Sequence, residues 1–225
     1  MRAQATRPRR IWPWVLLAVI VISAIIAVLT TSGIISTPKP TASPPATASA
    51  TPTEQPDAEP TGCLGGDTRD AAMVLAAQAA APHTSNGAIE VATAFVRWLN
   101  QYPYPDASDI SIVEAEGLAS SAPTKDVAAF FAGRPNLSGG LVPDDATYYL
   151  SALPGVYNLE SAAADEVVAS IGTALVIDGV LSTTLKGSIT VTMVWESGAW
   201  KFVSSEGTRS TEELYSIGRP FVGGC

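Results

Sequence analysis

A long uncharged run near the amino terminus constrains this chain more than any other feature. Residues 11–35 contain no charged side chain, and residues 15–29 are Val, Ile, Leu and Ala apart from one Ser. As a helix with a rise of 1.5 Å per residue, the run spans roughly 37 Å, and the hydrocarbon core of a bilayer is about 30 Å thick. The sequence therefore predicts a transmembrane anchor helix over residues 11–35.

The residues around the start of this run set its direction. Residues 1–10 carry four arginines and no acidic side chain, and Trp12 and Trp14 stand at the same end of the run. Basic residues are retained on the cytoplasmic side of a membrane, and indole rings favour the headgroup zone. We therefore expect a basic cytoplasmic tail over residues 1–10 and an extracytoplasmic location for everything after the anchor.

A cleaved signal peptide is the main alternative, because basic residues before an apolar stretch are common to both. The run is longer than the roughly 7–15 apolar residues of a signal peptide. No A-x-A site ends the run, and no Cys follows it closely enough for a lipoprotein anchor. The sequence favours an uncleaved, single-pass protein of the cell membrane.

Residues 36–61 differ sharply in composition from the run before them. Seven Pro, six Thr, five Ala and three Ser occur in these 26 residues. A segment of this kind buries little apolar surface and has few donors for regular ladders, so we expect a disordered, extended linker. Residues 62–225 remain as one extracytoplasmic domain.

Charge and composition exclude several functions for that domain. The chain has a net charge of −8, and residues 62–225 carry eight basic against 18 acidic side chains. Nucleic-acid binding needs a clustered basic surface, so no direct nucleic-acid partner is expected. One His and two Cys are too few for a multi-ligand zinc site or an iron–sulfur cluster. We expect no metal and no other cofactor.

The two cysteines, Cys63 and Cys225, lie at opposite ends of the domain, in the strings GCLGG and VGGC. Disulfides persist in oxidising extracytoplasmic spaces, and the flanking glycines allow two backbones to approach closely. We expect an intramolecular Cys63–Cys225 bond. Two free thiols, or a bridge to another chain, are the alternatives.

The first half of the domain has helical periodicity, and the last third has the alternation of strands. Helices first and an antiparallel meander last predict an α+β fold, in which N-terminal helices pack on a C-terminal curved sheet. The expected helices are residues 71–80 capped by Asp67, a helix from Ser85 or Asn86 to Tyr102, and shorter helices over 109–120 and 124–132. The expected strands are residues 166–177, 185–196 and 200–204, with turns at 178–179 and 196–198. Residues 136–155 are expected to be mostly loop and short strand, and residues 206–225 a tail that returns to Cys63.

The hairpin string from Trp195 to Lys201, WESGAWK, carries a family resemblance. Together with the order anchor, linker, helices and antiparallel strands, it resembles the cone-shaped nuclear-transport-factor-like fold. Single-pass members of that superfamily resemble assembly proteins of conjugative or type IV secretion machines in Gram-positive bacteria. Other anchored members accompany lipid-import systems of actinobacteria, and soluble members include small-molecule isomerases and hydratases. Fold membership alone does not choose among these functions.

Residues able to do acid–base chemistry do not form a convincing set. His83 falls in a loop between helices, where we expect it to be solvated or to cap a helix. Asp144 and Asp145 are adjacent in sequence, which is more typical of a turn than of a catalytic pair. The tyrosines are expected to pack or to contact a partner; they are Tyr102, Tyr104, Tyr148, Tyr149 and Tyr157. The arginines are dispersed, as in ordinary surface ion pairs; they are Arg69, Arg97, Arg134, Arg209 and Arg219. No catalytic residue is therefore assigned.

Two hypotheses of function follow. In the first, the chain is a non-catalytic assembly or scaffold protein whose exported domain binds other envelope proteins, in conjugative transfer by the resemblance, and a second copy of the chain is a further candidate partner. In the second, the domain binds a small ligand or lipid in the hollow of the cone. An enzyme that acts on such a ligand is one form of this second hypothesis. The contents of the domain interior distinguish the two hypotheses. A filled apolar interior favours the first hypothesis, and a pocket with converging Asp, Tyr or Arg side chains favours the second hypothesis.

Overall fold

The described part of the chain comprises residues 57–207 and 209–225 of a computed structural model. The expected cytoplasmic tail, anchor helix and most of the linker lie outside the described residues. Within the described residues, no helix is both long enough and apolar enough to cross a bilayer.

Short polar residues start each α-helix of the described chain. The side chains of Asp70, Thr84, Asp106, Asp126 and Ser210 each accept a hydrogen bond from the backbone N–H three residues further on. The helices are α1 (Ala71–Ala80), α2 (Ser85–Leu99), α3 (Ala107–Ile112) continued by a π-helical turn (Val113–Gly117), α4 (Val127–Ala132) and α5 (Thr211–Ile217).

The strands form one antiparallel sheet in the order β1-β2-β3-β4-β5, and β6 pairs separately with β2. They are β1 (Gln101–Tyr102), β2 (Tyr148–Ala162), β3 (Glu166–Ile177), β4 (Val180–Glu196), β5 (Ala199–Glu206) and β6 (Arg219–Pro220). The β3–β4 and β4–β5 hairpins turn at Asp178–Gly179 and Ser197–Gly198, and all four of these residues have positive φ. Two consecutive residues with positive φ match the twist of the flanking strands, which makes both connections tight.

Helix α2 lies at the centre of the domain. Every residue from Gly87 to Leu99 is buried, because the helix packs against four strands of the sheet. Trp200 ties the end of α1 to the last hairpin: its Nε1 donates to the carbonyl of Pro82 at 2.9 Å, and its carbonyl accepts from Gln78 Nε2 at 2.8 Å. The α+β prediction, with helices on a curved antiparallel sheet, is confirmed for this part of the chain.

Several predicted boundaries were wrong. Asp70, not Asp67, caps α1, and Thr84 caps α2 in place of Ser85 or Asn86. In each case the capping side chain belongs to the residue directly before the first helical residue, because only there can it reach the N–H three residues further on. Helix α2 ends at Leu99, since Gln101 and Tyr102 pair with β2 as a strand.

The largest error is in β2. Residues 136–155 were expected to be mostly loop and short strand, but the strand that begins at Tyr148, β2, runs for 15 residues. Pro154 and Gly155 suggested a break, and the strand accommodates them with a register shift against β3 between Ser151 and Val156. Strand β4 likewise begins at Val180, five residues earlier than expected.

Candidate functional site

The two ends of the described domain meet at one place, which we call the junction: residues 57–66 together with residues 219–225. Cys63 and Cys225 form a disulfide with a Cα–Cα distance of 5.5 Å, as the sequence predicted. The carbonyl of Cys225 also accepts from the backbone N–H of Ala152 and from Ser151 Oγ, both at 2.9 Å. The carboxyl-terminal segment is therefore fixed to β2 as well as to Cys63.

Glu90 holds the amino-terminal side of the junction. Its carboxylate, on the buried helix α2, accepts hydrogen bonds from the backbone N–H of Thr61, from Thr61 Oγ1 at 2.7 Å and from the N–H of Gly62 at 3.1 Å. A further N–H, that of Leu64, points at the same carboxylate from 3.4 Å. Several donors on one buried carboxylate satisfy its charge without a cation, which makes this segment a fixed part of the domain.

The first residues of the junction contact the start of α2 and the carboxyl-terminal segment. Asp57 accepts from Thr84 Oγ1 at 2.6 Å and from the N–H of Asn86 at 3.4 Å, at the start of α2. The carbonyl of Pro60 accepts from the N–H of Val222. Residues 57–61, which the sequence assigned to the linker, are therefore bound to the domain.

Arg97 was expected at the surface, and the structure contradicts this. Its side chain is fully buried two turns after Glu90, with Nη1 donating to the carbonyl of Gly66 at 3.0 Å. Burial, and then the nearby charge of Arg69, lower the pKa of Arg97 to about 10. The guanidinium of Arg69 in turn lies 3.7 Å over the ring of Tyr149.

An apolar cleft of about 200 Å³ opens between α2, α4 and β5. Phe95 and Leu99 of α2, Phe130 of α4 and Phe202 of β5 line it, and Phe95 stacks on Phe202 with ring centroids 4.0 Å apart. None of the described residues that line this cleft is acidic, basic, His or Tyr. A neighbouring hollow of about 230 Å³ shares Phe130 and Leu99 with the cleft and includes Glu206.

The outer face of the sheet carries a polar hollow of about 610 Å³ with a charged network. Arg209 Nε donates to Glu160 at 2.7 Å and the guanidinium also pairs with Glu213, while Ser170 Oγ donates to Glu160 at 2.6 Å. The hydrogen bond from Arg209 is the main cause that lowers the pKa of Glu160 to about 2. This network ties the segment after β5 to strand β2.

The single histidine, in the loop between α1 and α2, packs against the last hairpin. The ring of His83 stacks on Trp195 with centroids 4.1 Å apart, and its Nε2 lies 2.9 Å from the carbonyl of Ala164 and 3.0 Å from Asp165 Oδ1. His83 is thus in a loop, as predicted, but it packs against the WESGAWK string and is not among the residues that line the apolar cleft.

The other candidates are also separate from one another. Asp144 accepts from Asn136 Nδ2 at 3.4 Å within a loop, as expected of a turn residue. Tyr148 is buried, its hydroxyl accepts from the N–H of Leu137, and burial raises its pKa to about 12. Tyr102 and Tyr104 contact each other edge to face, and Tyr157 packs on Phe221, in the packing role that the sequence predicted.

The sequence reasoning missed Glu90 and Arg97, although a signal was present. They are the charged residues of an otherwise apolar helical run and are spaced by seven, which places them on one face of α2 two turns apart. Within the described residues, no cluster of three or more His, Cys, Asp or Glu side chains is arranged to hold a metal ion.

Comparison of the chain with models of known protein families, with curated proteins and with solved structures gives no match.

Proposed function

We propose that this protein is a single-pass membrane protein whose exported domain is a non-catalytic assembly module that binds other envelope proteins. The proposal includes the predicted anchor over residues 11–35, a cytoplasmic amino terminus, and a cone-shaped domain of the nuclear-transport-factor-like kind. Conjugative transfer is the process that the resemblance suggests for it.

The junction is the observation that carries this proposal. A domain held on a tether must keep its fold where the tether joins it. Here the joining segment is bound to the central helix by Glu90 and to the carboxyl-terminal segment by the Cys63–Cys225 disulfide. A disulfide is stable in the oxidising space outside the membrane, so the junction chemistry agrees with an exported, tethered domain.

The chemistry of the interior supports a binding role over a catalytic one. The core around α2 is filled by large apolar side chains, among them Trp98, Phe95 and Met193. The apolar cleft beside that core offers dispersion contacts and no proton donor or acceptor of the kind that isomerases and hydratases use. An apolar surface rimmed by polar residues suits contact with a partner.

Site-specific photocrosslinking in cells tests the proposal. A benzophenone amino acid is placed at Thr124, an exposed residue at the rim of the cleft, and at Thr183, an exposed residue of β4 remote from the cleft, as the matched control. We expect an adduct with an envelope protein at position 124 and little at 183, and the same partner in a reciprocal pull-down. Equal labelling at both positions, or no envelope protein at either, would contradict the assembly role.

The volume of the cleft supports a second candidate, a binding site for a small apolar ligand. About 200 Å³ lined by Phe and Leu side chains is enough for a compact apolar group. Val127→Trp would fill the cleft from α4, and Val180→Trp, at an exposed position of the β3–β4 turn, is the matched control. Native mass spectrometry of the chain purified from its own cells should show a bound ligand that V127W alone removes; a ligand-free wild type rules this candidate out.

A further inference from the structure

Two arginines near the junction lack the partners that buried charges normally have. The side chain of Arg97 is fully buried, yet its Nε and Nη2 have no hydrogen-bond partner among the described residues. Nε of Arg69 is also buried without a partner. The ion pairs of the described chain involve His83 and Arg209 only, so no described carboxylate lies within 4.0 Å of either guanidinium.

This arrangement is costly for the folded state. A buried guanidinium without a carboxylate keeps much of its desolvation penalty, and the charge of Arg69 adds repulsion to that of Arg97. Asp67 attracts both guanidinium groups and Glu90 also attracts that of Arg97, but Asp67 is exposed at the surface and Glu90 accepts hydrogen bonds from N–H groups within residues 61–64. Three buried donors, Arg97 Nε, Arg97 Nη2 and Arg69 Nε, therefore remain without an acceptor among the described residues.

A cavity of about 320 Å³ lies directly against Arg69. Tyr149, Val176 and Leu181 are register neighbours across β2, β3 and β4, so they share one face of the sheet and form its floor. The ring of Tyr149 supports the guanidinium of Arg69, which donates from Nη1 to the carbonyl of Asp67 at 3.1 Å.

The open cavity is mixed in character: Asp67 and Ser151 are polar residues of its lining, and two leucines form an apolar part of its wall. Leu153 and Leu181 line it and are 52% and 43% exposed, which is high for leucine side chains that are not in contact with a partner. Cys225 of the junction disulfide forms part of the wall, and the carbonyl of Gly66, which Arg97 binds, lies 3.4 Å from Cys225 Sγ. Arg97 therefore lies behind the junction wall, and Arg69 is the guanidinium that faces the cavity.

We propose that this cavity binds an amphipathic oxyanion, a molecule with one phosphate or carboxylate group on an apolar body. The oxyanion pairs with Arg69, whose fork geometry suits such groups, and the buried charge of Arg97 adds attraction through the wall. The apolar body covers Val176, Leu153 and Leu181. Asp67 also lines the cavity, and its carboxylate limits the site to a ligand of low negative charge.

Calorimetric titration of the full chain in a nonionic detergent tests this site, with hexyl phosphate and hexanoate as probes. Inorganic phosphate and 1-hexanol are the comparison compounds, each carrying one half of the proposed ligand. Arg69→Gln removes the cation at the cavity, and Arg219→Gln makes the same change at an exposed residue of β6 outside the cavity. Because both variants are measured in the same detergent, partition of a probe into micelles cancels.

We expect saturable binding of at least one of the two amphipathic anions, weakened about tenfold or more in R69Q and unchanged in R219Q. Arg69→Lys, which keeps the charge but loses the fork, should bind with intermediate affinity. Three results would overturn the proposal: no binding of either anion, equal loss in both Gln variants, or binding of inorganic phosphate as tight as that of hexyl phosphate. The first would mean that buried water alone satisfies these arginines.

The source of the anion is a lipid headgroup or a soluble compound, and a second arm distinguishes them. The full chain is placed in phosphatidylcholine nanodiscs with and without phosphatidic acid, and hexyl phosphate is titrated again. If phosphatidic acid abolishes the hexyl phosphate signal, the membrane supplies the ligand; if the signal persists, the ligand is soluble. Either result depends on the wild-type binding of the first arm, and neither depends on the assembly role proposed above.

Discussion

Glu90 and Arg97 lie seven residues apart on one face of α2, and both act on the same short stretch of chain. Glu90 accepts from N–H groups at Thr61 and Gly62, and Arg97 donates to the carbonyl of Gly66. The Glu90 carboxylate has several donors, whereas Nε and Nη2 of Arg97 have no acceptor among the described residues. The same helix thus presents one buried charge that is satisfied and one that is only partly satisfied.

The Glu90 contacts predict a large effect for Glu90→Gln. The neutral amide replaces charge-assisted hydrogen bonds and turns an NH₂ group toward backbone donors, so we expect the free energy of unfolding to fall by about 1–3 kcal/mol. Urea unfolding followed by tryptophan fluorescence measures it. Glu166→Gln, the same change at an exposed position of β3, should stay within about 0.5 kcal/mol; an equal loss in both variants would refute the role given to Glu90.

The Glu160–Arg209 pair predicts a specific sensitivity to acid. The pKa of Glu160 is about 2 in the folded state, below its ordinary value of 4.5, so the folded state binds fewer protons between these values. The pair therefore stabilises the fold above about pH 4.5, and the contribution is lost as the pH falls toward 2.

Arg209→Gln should remove that dependence. Because the pair is partly exposed, we expect the wild-type free energy of unfolding to fall by only about 1 kcal/mol more than that of R209Q between about pH 5 and pH 2.5. Urea midpoints across this range measure the difference. Parallel pH profiles for the two proteins would show that Arg209 does not stabilise the ionised form of Glu160.

At the scale of elements, the sequence was informative where one signal dominated. Apolar periodicity and Pro82 predicted α1 and the core of α2, and alternation predicted β3 and the strands of the last hairpin. Strand β2 was missed because Pro154 and Gly155 interrupt its local pattern, and its length depends on pairing with β3, which no local pattern contains. The apolar cleft could not be predicted from the sequence either, because its walls come from α2, α4 and β5, which meet only in the folded domain.

Gly155 shows why that interruption is tolerated. A Cβ at Gly155 would lie 2.5 Å from the carbonyl oxygen of Ala152 and 2.7 Å from that of Gly172, whereas a Cβ at Gly187 would meet only Thr173 Oγ1 at 3.4 Å. We expect Gly155→Ala to lower the free energy of unfolding by about 1–3 kcal/mol and Gly187→Ala to change it by less than about 0.5 kcal/mol. Thermal or urea unfolding compares the two, and equal values would mean that β2 relaxes freely at this point.

At the scale of the whole molecule, the junction closes the described chain into a loop. The bond joins residues 162 apart in sequence, so its loss should lower the free energy of unfolding by about 2–4 kcal/mol, within the range found for native disulfides. In the double variant Cys63→Ser with Cys225→Ser, hydrogen exchange should quicken at residues 57–66 and 219–225 while β3 and β4 keep their protection. Loss of protection throughout the sheet would show that the bond supports the entire fold instead of the junction.

The central claim is that an uncleaved helix over residues 11–35 holds this disulfide-closed domain outside the membrane. Labelling with a membrane-impermeant maleimide tests it most directly, on full chains that carry Gln4→Cys in the tail or Thr183→Cys on the exposed surface of β4. In intact cells the account predicts labelling at position 183, labelling at position 4 only after permeabilisation, and a mass that includes residues 1–35. A chain that lacks its first 35 residues, or labelling of position 4 in intact cells, would contradict it.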